Sequence, residues 1–242
     1  MAEILRPPRD GWQPLIERSL EALPRAALSA QPVWQDAAQR KTCLQALGQL
    51  LELVVLWNRR VDLTAARSAE ELVDLYLSDA WVLAASDPDD GARWIDVGSG
   101  AGAPGLVLQL LRPARELTLV EPRAKRVAFL RTAVGQLRLD TQIVAERSDS
   151  LGASSHDVAV SRATLPPEQW LAEGARLARR SVWVLLARGA APSRPGWQVA
   201  SEVDYEWPLT QVPRRALCFT RTPEPPVSLS QSAAAGAQTR RD

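Results

Sequence analysis

From residue 93 onward the chain alternates short apolar runs with helix-spaced segments, and this rhythm constrains the fold more than any other feature. "RWIDV" (93–97), "ELTLVE" (116–121), "TQIVA" (141–145), "HDVAVSRA" (156–163) and "SVWVLLA" (181–187) read as strands. A glycine-rich turn with a helix at 104–112, a helix at 122–138 and a helix at 167–179 fall between them. Strands alternating with helices predict a parallel sheet covered on both faces. "WQVASEVDYEW" and "RALCFTRT" have no helix between them and predict an antiparallel hairpin at the sheet edge.

What precedes the sheet is helical. Residues 1–32 carry five prolines and read as a loosely packed leader with one short helix at about 12–22. Residues 33–90 form a helical subdomain. Its first part carries Leu44, Leu47, Leu50, Leu51, Val54 and Val55 at helical spacing; in its second part Ser68 and Glu71 form a capping box. "DPDDG" (87–91) is a turn, residues 91–221 form the sheet domain, and residues 222–242 have few large apolar groups and are expected to be disordered.

No apolar run is long enough to span a bilayer, and the N-terminus lacks the apolar core of a signal peptide, so a cytoplasmic protein without membrane contact is expected. Cys43 and Cys218 match no metal spacing and read as small core residues. No metal-ligand cluster is present. Net charge is +1 but uneven: residues 1–90 carry 9 basic against 14 acidic groups, residues 91–242 carry 20 against 14. The arginines of 112–147 form a candidate basic face for phosphates, or an ordinary solvated surface.

The turn "GSGAGAPG" (98–105) reads in two ways. Gly98, Gly100 and Ala103 fit the dinucleotide pattern G-x-G-x-x-G/A; Gly98, Gly100 and Gly102 fit the G-x-G-x-G of methyltransferases that use S-adenosylmethionine. Both rest on glycines that allow positive φ and close backbone approach to a ligand. Glu121 ends the second strand, where a carboxylate accepts hydrogen bonds from ribose hydroxyls in either class. The helical leader, the antiparallel hairpin and the apolar Ala103-Pro104-Gly105, which offers no phosphate site, favour S-adenosylmethionine.

"WNRRVDLT", "DVGSGAGAPG", "EPRAKRVAFLR" and "VSRA" occur in an order and spacing that resembles the bacterial small-subunit ribosomal RNA guanine-N7 methyltransferases, the glucose-inhibited-division-B family. The resemblance runs from Trp57 to Arg188, with a fainter echo at "RRALCF". It implies an α/β fold: a doubly wound, mostly parallel, seven-stranded Rossmann-like class I methyltransferase sheet with an N-terminal helical extension and a C-terminal hairpin. It implies S-adenosylmethionine as cofactor and 16S ribosomal RNA or the 30S subunit as partner of a monomeric enzyme. Gly98, Gly100, Ala103, Glu121, Arg147, Ser148 and Arg162 would form the cofactor site. Arg162 is also the candidate catalytic residue, and Lys125, Arg126 and Arg188 are candidate RNA contacts. Where the family has His, Ser, Glu and Lys, this chain has Tyr76, Ala80, Ser148 and Arg188.

Guanine N7 presents a lone pair and no proton, so its methylation needs positioning rather than a general base. The one histidine, His156, reads as a surface residue, and no Ser-His-Asp set is evident. Arg162, at the carboxyl end of a parallel strand, reads as a ligand-binding residue or as one half of an ion pair with Glu168 or Asp149. Three alternatives stay open: a related methyltransferase with another acceptor, a non-catalytic RNA or ribosome adaptor, and an NAD-dependent enzyme.

Overall fold

The computed structural model describes residues 5–22 and 32–223. The disordered tail expected from 222 therefore lies outside the described residues from 224 on. One sheet holds seven strands, β1 (Trp94–Val97), β2 (Leu117–Val120), β3 (Thr141–Val144), β4 (His156–Ser161), β5 (Ala178–Leu186), β6 (Trp197–Glu206) and β7 (Pro213–Arg221). Their order is β3-β2-β1-β4-β5-β7-β6. β1 to β5 pair in parallel, and β7 runs antiparallel between β5 and β6. The order turns back between β1 and β4, which places a crevice at the carboxyl ends of these two strands.

Burial explains the pairing. All four residues of β1 and of β2 are buried. Trp94, Leu117, Leu119, Val158, Val160 and Trp183 point to one side, while Ile95, Val97, Val120, Ala159, Val182 and Val184 point to the other, as the two-residue period of a strand requires. The first side is covered by α1 (Gln13–Glu21), α2 (Pro32–Gln35), α3 (Ala37–Asn58), α4 (Ala69–Ser86), α5 (Gly105–Leu111) and α6 (Ala124–Leu137). The second side is covered by α7 (Pro167–Leu177), whose Trp170, Leu171 and Ala175 are buried there. α5 is buried at every residue, packed between β2 and the pair α3 and α4. Ser68 caps α4 by accepting from Glu71 N at 3.1 Å; the Glu71 carboxylate accepts from Arg67 N at 2.8 Å, one residue ahead of the usual box.

Three expectations are corrected. The described part of the leader, residues 5–22, is packed, not loose: Trp12, Leu15, Ile16 and Leu20 recur at helical spacing and join the main core, and the Trp12 indole donates to Glu52 at 2.8 Å. β5 begins at Ala178, three residues early, because Arg179 pairs with Asp157 at 2.9 Å and Arg180 with Asp87 at 2.7 Å, extending the strand with ion pairs that no apolar pattern announces. The basic face of 112–147 is partly interior. Arg112 and Arg115 are buried, holding the Asp87–Asp90 turn through Asp90 and the carbonyl of Asp87, and Arg115 stacks 4.4 Å from the Trp94 ring centroid. Among the described residues, no helix is long and apolar enough to cross a membrane.

Candidate functional site

The glycine turn leaves β1 at the mouth of the crevice. Gly98, Gly100 and Gly102 have φ of +69°, +57° and +84°, a region that favours glycine. Their reasons differ. A Cβ on Gly98 would sit 2.2 Å from Thr164 Oγ1, and one on Gly102 would sit 2.3 Å from Leu106 Cδ1, so both are glycines because other parts of the chain press against them. Gly100 alone of the three has no such clash; the nearest atom is Arg126 Nη1 at 3.5 Å. Gly98→Ala is therefore expected to lower stability by about 2–4 kcal/mol through strain and overpacking. Gly100→Ala should disturb ligand binding more than the thermal midpoint. Thermal unfolding of the two variants beside ligand titration checks this contrast.

Glu121 is buried and closes the turn from β2. Its Oε2 accepts from Gly100 N at 3.0 Å and its Oε1 from Arg123 N at 2.9 Å. Each oxygen keeps a lone pair for a further donor. The nearest cation is Arg126 Nη1, at 4.0 Å. This donor-hungry carboxylate, on a turn whose Gly100 is not pressed by a neighbouring side chain, fits a ligand carrying a ribose diol. Asp96 lies beneath, accepting from Gly105 N at 3.1 Å. Burial pushes its carboxyl up to about 7, against the pull of Arg162 and of the Gly105 N–H. The folded state thus holds this proton more tightly than the unfolded chain does, and the group's contribution to stability is lost as pH rises from about 4 to about 7. The unfolding free energy of the wild type relative to Asp96→Asn is expected to fall through that window by up to about 1.4 kcal/mol per pH unit. A flat difference in denaturant titrations would contradict it.

α4 ties the site together. Tyr76 is fully buried and donates to the Ala101 carbonyl at 2.7 Å, so the residue that replaces the family's histidine braces the glycine turn. Burial pushes its phenol up, while Arg162 and Arg126 pull the other way. Arg162 follows β4 and donates to the Leu75 carbonyl and to Asp79 Oδ2, the latter at 3.4 Å. Its partner is thus Asp79, not Glu168 or Asp149: Glu168 accepts from Ser193 N, and Asp149 pairs with Arg147. Asp79 Oδ1 in turn accepts from the Tyr205 hydroxyl at 2.6 Å. Asp74, five residues earlier, accepts from Leu209 N and Thr210 N and so fixes the β6–β7 turn. Sequence reasoning assigned no role to Tyr205, Asp74 or Asp79.

The remaining predicted residues divide. Ala103 is buried in the turn. Arg147 is exposed and paired with Asp149 at 3.0 Å; Ser148 opens a short 3-10 turn after β3, and its carbonyl accepts from Arg176 at 2.6 Å. Lys125 is exposed on the first turn of α6, whereas Arg126 turns back toward Glu121 and the Asp62 carbonyl. Arg188 is exposed beyond β5. His156 is a correction: it is half-buried at the amino end of β4, bonded to Ser155 and Thr118, with its pKa lowered by burial, and so lies at the end of the sheet away from the crevice. Trp57 packs edge-on against Phe129 of α6 at 5.7 Å, and Asn58 Oδ1 accepts from Leu63 N and Thr64 N. Among the described residues, no group of three or more His, Cys, Asp or Glu is placed to hold a metal ion.

Comparison with known proteins gives a consistent picture. Residues 43–198 match the family model described as rRNA small subunit methyltransferase G. A "Ribosomal RNA small subunit methyltransferase G" from Anaeromyxobacter dehalogenans is 32% identical over 83% of this chain and 97% of its own length. A second from another strain of that species is 30% identical over 69% and 84%. The protein of that name from Halorhodospira halophila is 40% identical over 51% of this chain, a stretch that spans 58% of that relative. Among solved structures, a mutant of MtNAS in complex with S-adenosylmethionine superposes with a TM-score of 0.52 at 15% identity, over 76% of this chain and 73% of that one, a likeness of fold.

Proposed function

The chain belongs to the rRNA small subunit methyltransferase G family, and from that premise we propose that it transfers a methyl group from S-adenosylmethionine to N7 of a guanine in small-subunit ribosomal RNA, acting as a monomer in the cytoplasm. The observation that carries the cofactor is Glu121: a buried carboxylate at the end of β2, held by two backbone N–H groups of the glycine turn and the helix start, with lone pairs left for further donors. The guanine and its N7 follow from the family motifs, "VSRA" above all.

S-adenosylmethionine supplies an electrophilic methyl group on a sulfonium. The residues of the chain bind and orient. Glu121 would accept hydrogen bonds from the ribose hydroxyls, and the glycine turn would let the ligand approach the backbone. Arg162, fixed through Asp79 and the Leu75 carbonyl at the carboxyl end of β4, would offer its remaining N–H donors to an anionic group of cofactor or RNA. Guanine N7 would take the methyl group with its own lone pair as the sulfur–methyl bond breaks and the neutral thioether S-adenosylhomocysteine leaves, so no side chain has to remove a proton, and the one histidine, at the far end of the sheet, is not needed.

Calorimetry with S-adenosylmethionine and, separately, with NAD tests the cofactor. Saturable binding of the former alone is expected; binding of NAD alone would overturn the assignment.

A further inference from the structure

The arginines of this protein divide into those held in ion pairs and those left exposed without one. Four at the amino ends of the strands are paired: Arg93 with Glu116 at 3.4 Å, Arg112 with Asp90 at 2.7 Å, Arg179 with Asp157 at 2.9 Å and Arg180 with Asp87 at 2.7 Å. At the carboxyl ends, Arg126, Arg147 and Arg162 are paired with Glu121, Asp149 and Asp79, whereas Arg123, Lys125 and Arg188 are exposed and form no ion pair among the described residues. The end of α3 adds two more such cations, Arg59 and Arg60. Leu56, one helical turn before them, is 55% exposed, a large apolar side chain left in solvent on the same side of the helix end. Glu52, the acid one turn further back, is engaged by the Trp12 indole.

This helix end is held against the site rather than merely near it. Trp57 packs on Phe129 of α6, Asn58 closes the loop onto Leu63 and Thr64, and the Asp62 carbonyl accepts from Arg126, the residue that reaches Glu121. Arg59 and Arg60 therefore continue the cationic first turn of α6, where Arg123 and Lys125 stand.

We infer that Leu56, Arg59 and Arg60 form an RNA-docking surface that holds the phosphate backbone of the substrate beside the methyl-transfer site. The inference rests on the ribosomal RNA reading above. Charge complementarity identifies the partner: unpaired guanidinium groups release phosphate counterions, and an exposed apolar group at their edge suits an unstacked base or a ribose face.

The test uses the full-length protein titrated with naked small-subunit ribosomal RNA at several salt concentrations. R59Q/R60Q is expected to raise Kd about tenfold or more near physiological salt and to reduce the slope of log affinity against log salt by about 1.5. S-adenosylmethionine affinity should not change, and R59K/R60K should restore most of the RNA binding. Leu56→Ser should weaken binding a few-fold without changing the slope, since an apolar contact releases no counterion. R131Q/R138Q, which removes two exposed charges, one on α6 and one just past its end, serves as the charge-matched control and should leave Kd within about twofold. Wild-type binding that R59Q/R60Q leaves unaltered would overturn the inference alone. Loss of affinity for 30S subunits but not for naked RNA would also overturn it, by assigning the surface to a ribosomal protein. A wild-type protein that binds no RNA would overturn both the inference and the reading beneath it.

Discussion

Glu121→Ala is expected to weaken S-adenosylmethionine binding by about 100-fold or more. The carboxylate is buried, and hydrogen bonds from a ribose diol to a buried anion are charge-assisted, each worth about 1.5–3 kcal/mol. Truncation removes both and leaves Gly100 N and Arg123 N without the acceptor that shapes the turn. Glu121→Gln keeps the shape and one carbonyl acceptor but puts an amide donor where the second acceptor stood, so an intermediate loss of roughly tenfold is expected. Calorimetry measures both, with thermal unfolding as the control for the turn. An unchanged Kd in Glu121→Ala would remove the carboxylate from the cofactor site.

Arg162→Ala is expected to lower the methyl-transfer rate by about 100-fold while changing cofactor affinity by less than about tenfold, as for a preorganised cation lost from a reacting centre. The fold should survive, because Asp79 keeps the Tyr205 hydroxyl as donor and α4 keeps its hold on the β6–β7 turn through Asp74. Arg162→Lys should not rescue the rate: a single ammonium cannot donate to the Leu75 carbonyl, to Asp79 and to a ligand in the directions a guanidinium offers. Single-turnover transfer to RNA gives the rate. Loss of cofactor binding alone, with the rate at saturation intact, would place Arg162 on the cofactor only.

Much of the fold was legible because each strand of the parallel sheet carries its own apolar run and each crossover its own helical spacing. Ser68 with Glu71 marked the start of α4, and Glu121 was found by its place at the end of the second strand. What escaped the sequence depends on long-range contacts. Asp79 meets Arg162 across 83 residues and Tyr205 across 126, and nothing local in any of them announces the others. Gly98 reads as a ligand-facing glycine until Thr164 is seen lying on it. Arg112 and Arg115 read as surface charge until the Asp87–Asp90 turn and the Trp94 ring enclose them. Arg126 looked like Lys125, its neighbour, yet one side chain faces solvent and the other the glycine turn; a helix start does not say which of two adjacent cations turns inward.

Transfer of labelled methyl from S-adenosylmethionine to small-subunit ribosomal RNA that lacks the modification, followed by nucleoside analysis of the product, tests the central claim most directly. The account predicts label recovered as N7-methylguanosine from a single position, lost in Glu121→Ala and Arg162→Ala. Label on another atom, or no transfer by a protein that binds the cofactor, would contradict it.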